Sequence, residues 1–493
     1  MKLEKSNLCK KQIKNKLIII SYLFISFLFT IPSIIYLIQN KTVYHFSQIF
    51  TYTFMSNNTT YDNYINAIIY LCIFFLLFFL YFIILKKVNK IFKTKKQMFI
   101  FITVIGILFS IIIPTTSLDV YSYIGNGWVD SNYNENPYYT SVDNIENKYG
   151  EDEMLQNVAR CWREEPVVYG PTWSLVCKGL TSLSFGNITL ALYIFKITSF
   201  IVFICSCVLI YKITNKKFFV ILFGLNPFIL FEFLSNVHND IFLVFFVLLA
   251  IYFVKNKKNI VFAVASIAIA TGMKYLSILL LPFILCYALR KENIKDKIKY
   301  TIFYAIEFIL ILVLFYLVYI RDLKVLSGIF IQQNKYGRSI FLALWYFLNG
   351  DEKALSLLKM ITLGIFAISY IVIILKIFFN KQGKTITFRK TMKTYQVFLL
   401  IFTFILITNF NPWYVIWLFP TLMWQKAKMI RASLYLSLGV LNSYAITYAT
   451  KVDDESVGIP YFIVMITTVG ILYATNLLVK KRKTLKSSKM EVK

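Results

Sequence analysis

The chain has 493 residues, 58% of them hydrophobic and 18% aromatic, with a formal net charge of +29. A mean hydropathy of +0.65 excludes an ordinary soluble domain and makes one all-α, polytopic membrane body the expected fold class. So high a charge would suggest nucleic acid in a soluble protein; in a membrane protein its placement matters more, and no nucleic-acid partner is expected.

A basic tail of Lys2, Lys5, Lys10, Lys11, Lys14 and Lys16 precedes the first apolar run, near 17–38. That run is too long for a signal core and lacks a small-residue cleavage pattern, so it is expected to be an anchor. About thirteen further apolar segments follow, near 64–85, 98–116, 188–211, 218–234, 241–254, 260–273, 275–289, 300–320, 355–375, 395–409, 414–424, 432–449 and 459–479. Many reach the length of about 18 residues that a bilayer crossing needs. Those at 241–254, 260–273, 275–289 and 414–424 are shorter and are expected to line a cavity, where protein or water satisfies their ends. The chain divides into N-terminal spans (1–116), a large loop (117–187), a membrane helical body (188–479) and a basic tail (480–493).

Orientation follows from the positive residues. With the N-terminus inside, the inner segments are the N-tail, 86–97, 212–217, 255–259, 290–299, 376–394, 425–431 and 480–493, which hold 39 of the 53 Lys and Arg. They hold only Glu4, Glu292, Asp296 and Glu491, leaving 20 of 24 acids to the spans and the outer side. Both termini are therefore expected in the cytoplasm. The large loop, with 39–63, 235–240, 321–354, 409–414 and 451–458, is then extracytoplasmic. The terminal KKRKTLKSSK reads as a solvated tail near anionic headgroups.

The large loop opens SLDVYSYIGNGW and holds 10 of the 24 acids among tyrosines and tryptophans. Such a loop suits a polyhydroxylated substrate at a membrane surface. Sugar transfer to a hydroxyl needs a carboxylate to take the acceptor proton, positive charge for a departing phosphate, and surfaces that grip sugar rings. Asp119 lies just past an apolar run, where partial desolvation suits a general base. An N-cap role for Ser117 or Asp119 is the plainer alternative. If the chain is helical here, Tyr123 lies one turn on.

NVHND brings His238, Asn239 and Asp240 to the mouth of the expected cavity. Polar clusters at membrane depth are costly and usually functional, although an Asn-Asp turn is ordinary loop chemistry. His238 is a candidate for phosphate oxygens and Asp240 a second candidate base or orienting group. Lys274, where two short helices meet, either neutralises a phosphate or snorkels to the interface. Arg338, with Arg321, Arg160 and Arg163, is a further phosphate candidate. YGPTW and NPWY put Tyr169, Trp413 and Tyr414 beside rigidifying prolines; such rings stack on sugars, and they equally mark membrane interfaces. NENPYY, with Tyr138, reads as a turn. Glu232 and Glu307 fall inside spans without a nameable partner.

There is no GxGxxG before a helix, P-loop, HExxH or GxSxG, so the fold of a soluble nucleotide-sugar enzyme is not expected. Seven cysteines show no CxxC spacing and no metal site is expected. Cys161 and Cys177 both fall in the loop, where two buried thiols are the plainer expectation and a disulfide the alternative.

Taken in order, LDVYSYIGNGW, NENPYY, VVYGPTW, NPFILFEFLSNVHND, TGMKYLSILLLP and NPWYVIW resemble the polyprenol-phosphate-mannose-dependent α-mannosyltransferases of the GT-C superfamily. The likeness spans about residues 110–425 and is greatest to the actinobacterial lipoglycan α-1,6-mannosyltransferases. It implies a polytopic helical body whose outer loops cover a cavity for a polyprenyl-phosphate donor and a glycan or lipoglycan acceptor. It implies Asp119 as the catalytic carboxylate, His238–Asp240 and Lys274–Tyr275 as the polar and basic turns, and inverting transfer, with mannose the expected sugar. The sugar and acceptor surface is expected from Tyr123, Tyr138, Tyr169, Asn239, Tyr275, Trp413 and Tyr414, and the donor phosphate site from Lys274, His238 and Arg338. No cofactor is required when a lipid monophosphate leaves, and a divalent metal stays open. Many members place the catalytic loop after the first span, whereas here it follows the third. The rival from another class is a transporter or flippase of lipid-linked saccharides, with the same cavity and no base. An O-antigen-type polymerase or ligase would call for arginine-rich outer loops, which are lacking.

Overall fold

A computed structural model describes residues 2–39, 60–328, 331, 335, 337–380, 386–446, 463–475 and 477. Segment 451–458, most of 39–63, the basic tail and the Cys161 side chain lie outside the described residues. Among the described residues there is no strand, only an isolated bridge between Gly337 and Asn409, so the architecture is all-helical.

Among the described residues five helices are long and apolar enough to cross a bilayer: Gln12–Gln39, Tyr64–Lys86, Ile188–Thr214, Ile294–Tyr316 and Glu352–Phe378. The last two present apolar side chains such as Ile309, Leu310, Ile365 and Ile368 outward, the pattern of a face that meets lipid rather than core. The 218–234 segment is a broken pair of helices, Lys217–Gly224 and Pro227–Ser235, bent by 50°. Pro227 forces the break because it lacks an N–H and clashes with the preceding turn. Two tyrosines from the first two spans satisfy carbonyls at the break: the Tyr22 hydroxyl donates to Leu225 O at 2.8 Å and that of Tyr81 to Leu222 O at 2.7 Å. In an apolar medium an unmet carbonyl is costly, so these bonds let the chain turn at membrane depth.

The short segments are short helices, as their lengths imply. They form Asp240–Tyr252, Ile260–Thr271, and a 3₁₀ turn Tyr275–Leu280 running into Leu281–Ala288. The 414–424 segment lies within a 3₁₀ helix, Pro412–Trp424. Segments 98–116, 395–409 and 432–449 correspond to Lys95–Ile111, to Phe388–Ile401 with a π turn Phe402–Leu406, and to Ala427–Ser443.

The large loop folds as helices rather than as irregular chain. Asp119–Ser131 packs on Pro171–Ser182, while Val129, Val142, Ile145, Leu155 and Val158 form a small core of their own. Arg163 ties this cap together through ion pairs to Asp143 and Glu146. Cys177 is a buried free thiol.

Candidate active site

Two carboxylates of the site each open a helix. Lys95–Ile111 ends, and after a short connection Asp119 begins the helix Asp119–Ser131, with its backbone N–H donating to Ser117 Oγ at 3.2 Å. Ser117 thus serves the helix start, and Asp119 stands in the first turn, at the positive end of the helix dipole. Asp240 likewise begins Asp240–Tyr252. Between the π turn Phe231–Ser235 and Asp240, Val237 adopts φ 61°. A β-branched residue rarely enters this left-handed region, at a cost on the order of 1 kcal/mol or more. The next residue is His238.

His238 is buried and faces two acids. Its Nδ1 lies 3.3 Å from Asp119 Oδ2 and its Nε2 3.3 Å from Glu232 Oε2. Neither contact meets hydrogen-bond angles, so they are charge contacts rather than aligned hydrogen bonds. The ring stacks on Trp413, with centroids 3.7 Å apart and planes 16° from parallel. Burial disfavours the imidazolium, but the two flanking carboxylates outweigh it and raise the His238 pKa from 6.5 to about 9. The group is therefore a cation at neutral pH.

The Asp119 side chain is 15% exposed and lines a cavity of about 940 Å³. Its Oδ2 meets His238 and accepts from the Tyr123 hydroxyl at 3.5 Å, which in turn accepts from Tyr169 at 3.5 Å. Its Oδ1 has no such partner among the described residues. One oxygen is thus held from behind and the other is left to the cavity.

Asp240 is fully buried and engaged. Lys274 Nζ donates to both its oxygens at 2.8 Å, and Trp417 Nε1 donates to Oδ1 at 2.6 Å. The Lys274 ammonium also lies 4.8 Å from the centroid of the Tyr414 ring, 5.7 Å from Trp417 and 5.8 Å from Tyr169, distances at which cation–π attraction operates. The 3₁₀ geometry of Pro412–Trp424 arranges this wall, because residues three apart eclipse. Tyr414 and Trp417 accordingly stack at 4.1 Å and 17°.

YGPTW is pinned to TGMKY by a close backbone approach. Gly272 O accepts from Thr172 N at 2.9 Å, and Gly170 N donates to Met273 O at 3.3 Å. A Cβ on Gly272 would collide with Thr172 Oγ1, and one on Gly170 with Gly272 O. Both positions require glycine because the two chain segments touch there.

The cavity is lined by polar and aromatic residues, Asp119, Tyr169, Lys274, Arg338, Trp413 and Tyr414 among them, and by apolar ones that include Phe341, Leu363, Phe402 and Leu406. Arg160, Lys335 and Lys359 add further cations, so among the described residues Asp119 is the one acid on a lining with five cationic side chains. Lys335 lies over the Trp162 ring at 4.0 Å.

Asp119, His238, Asp240 and Lys274 are thus brought together, and Tyr169, Tyr275, Arg338, Trp413 and Tyr414 line the cavity with Asp119 and Lys274. Four residues expected to touch substrate do not line the cavity. Tyr123, Asn239 and His238, the last expected at the donor phosphate, are buried behind the lining. Tyr138 lies in a separate small core with Tyr319 and Val325, where its hydroxyl donates to Tyr169 O at 2.8 Å. It supports the wall and does not form it. Sequence reasoning leaves Glu232 without a partner and passes over Trp162, Trp417, Lys335 and Lys359. Trp417 carries a signal, its spacing of three from Tyr414, but only a 3₁₀ helix gives that spacing its meaning. Among the described residues no group of three or more His, Cys, Asp or Glu could hold a metal ion.

A family model described as "Alpha-(1->6)-mannopyranosyltransferase, N-terminal domain" matches residues 36–290, more than half of the chain. That span contains Asp119, Glu232, His238, Asp240 and Lys274. No curated protein and no solved structure matches.

Proposed function

The chain belongs to the alpha-(1->6)-mannopyranosyltransferase family, and from that premise we propose that it moves a mannosyl group from a polyprenyl phosphate to a glycan or lipoglycan acceptor on the extracytoplasmic face. The family supplies glycosyl transfer; the donor, the acceptor, the face and the roles below are our reading. The observation that carries it is Asp119 on the lining of a cavity rich in cations, held from behind by buried His238.

In this reading the acceptor hydroxyl attacks the anomeric carbon as the bond from that carbon to the phosphate oxygen breaks. Asp119 takes the hydroxyl proton at Oδ1, and the configuration inverts. His238 and Tyr123 hold Oδ2, so the carboxylate meets the acceptor in one orientation. The leaving lipid phosphate gains negative charge, which Arg338 and the other lining cations stabilise. Asp240 serves as an orienting group rather than as the base, because it is buried off the cavity lining and Lys274 and Trp417 already occupy both its oxygens. Lys274 is correspondingly an anchor for the aromatic wall whose field still reaches the phosphate. The rings of Tyr169, Trp413 and Tyr414 suit the C–H faces of a sugar, and the apolar wall beside Leu363 and Phe402 suits a prenyl chain.

Purified protein in lipid nanodiscs, given radiolabelled polyprenyl-phosphate mannose and a short mannoside, is expected to form a lengthened mannoside with an α linkage. Transfer from nucleotide-linked mannose instead would overturn the donor assignment. Saturable donor binding with no covalent product would favour the transporter.

A further inference from the structure

Lys196 lies inside the Ile188–Thr214 span and is fully buried, yet no acid among the described residues contacts it. Its ammonium donates to three backbone carbonyls: Ile112 O at 2.6 Å, Ser235 O at 2.7 Å and Leu234 O at 3.1 Å. Three acceptors at these distances use all three protons of an ammonium. The carbonyls belong to two helix ends: Ile112 caps Lys95–Ile111, and Leu234 and Ser235 close the π turn Phe231–Ser235. Helix C-termini carry unmet carbonyls and partial negative charge, so one cation placed where two of them converge satisfies both.

Each of those ends leads directly into a loop of the site. Seven residues after Ile112 comes Asp119, and three residues after Ser235 comes His238. Beyond Lys196 the two loops are joined again by Asn236, whose Oδ1 accepts from Thr115 N at 3.2 Å and whose Nδ2 donates to Thr116 Oγ1 at 2.7 Å and to Glu232 Oε2 at 3.2 Å. Lys196, Asn236 and the His238–Asp119 contact therefore form successive ties between the same two stretches of chain.

We propose that Lys196 is a positioning residue for sugar transfer, fixing the register between the Asp119 loop and the His238 loop although it touches no substrate. The proposal rests on the catalytic reading above. It predicts a loss in kcat rather than in donor binding, because the donor would be held by the cavity lining while the base is misplaced. A shift of about 1 Å in a catalytic group costs on the order of 10²-fold in rate.

The test has two readouts on the full-length protein in nanodiscs. Lys196→Met keeps an unbranched stem of four heavy atoms and removes all three bonds. It is expected to lower kcat by about 10- to 100-fold with the donor KM within about twofold, and to speed amide hydrogen exchange in 113–118 and 236–239 while other described helices stay protected. Should Lys196→Met fail to accumulate, Asn236→Ala cuts the next tie and carries the same paired expectation at smaller size. Unchanged exchange in both loops, exchange raised evenly through the protein, or a rise in KM at constant kcat would overturn the proposal. If wild-type protein transfers no sugar, that result counts against the catalytic reading, and the exchange pattern alone decides whether Lys196 sets the register.

Discussion

The contact between Asp119 and His238 joins two residues 119 positions apart, and its electrostatics lead to a pH dependence. His238 has a raised pKa, about 9 in the fold against 6.5, so its charged contacts with Asp119 and Glu232 are fully present below about pH 6.5 and lost as pH rises through 9. Transfer is therefore expected to hold through neutral pH and to fall above about pH 9, a limb that a pH–rate profile would show. Glu232→Gln removes one of the two acids that keep the ring charged and should move that limb toward neutral pH; an unmoved limb would separate Glu232 from His238. His238→Gln should remove the limb and lower kcat by about 10- to 100-fold, up to the cost of a base misplaced by about 1 Å. Asp119 and His238 are legible in the sequence as polar residues at the ends of apolar runs. Glu232 and Lys196 are not, because a single charge within a span has no meaning until its tertiary partners are known. Tyr138 misleads in the opposite way: its motif suggests ligand contact, and burial turns it into a support for Tyr169.

At the scale of elements, helix ends and breaks do most to build the site. Long spans are plain from hydropathy, because about 18 apolar residues in a row admit few other structures. The π turns and the 3₁₀ helix Pro412–Trp424 are not, since a short apolar run has the same composition in any helical form. Only the stacking of Tyr414 on Trp417 and the bond from Trp417 to Asp240 show why the tighter helix is used there. Trp417→Phe should keep the stack but leave Asp240 short of a donor, destabilising the fold by about 1–3 kcal/mol, measurable as a lowered midpoint of thermal unfolding in detergent. Gly272→Ala should be worse than its size suggests. Its Cβ would collide with Thr172, and overpacking of this kind costs about 1–3 kcal/mol while prying YGPTW from TGMKY. A Gly272→Ala protein with wild-type stability and activity would refute that picture of the junction.

Over the whole molecule, the proposed extracytoplasmic face sets a direction that labelling can test. The helix Lys95–Ile111 starts in a lysine-rich segment and ends at the site, as positive-inside orientation requires for an outer active site. A single cysteine in place of Glu153 is then expected to react with a membrane-impermeant maleimide in intact cells, and one in place of Lys257 only after permeabilisation. The acid-rich loop and the order of motifs already point to the candidate site. The depth and lining of the cavity cannot be read from residue order, since Arg160, Arg338 and Lys359 meet there from distant parts of the chain. The proposed chemistry stands on the carboxylate that faces this cavity. The most direct measurement is single-turnover transfer from polyprenyl-phosphate mannose by Asp119→Asn, alongside donor binding by the same protein. A rate lowered by about 10²- to 10⁴-fold with donor affinity retained is the predicted result, and transfer at the wild-type rate would contradict it.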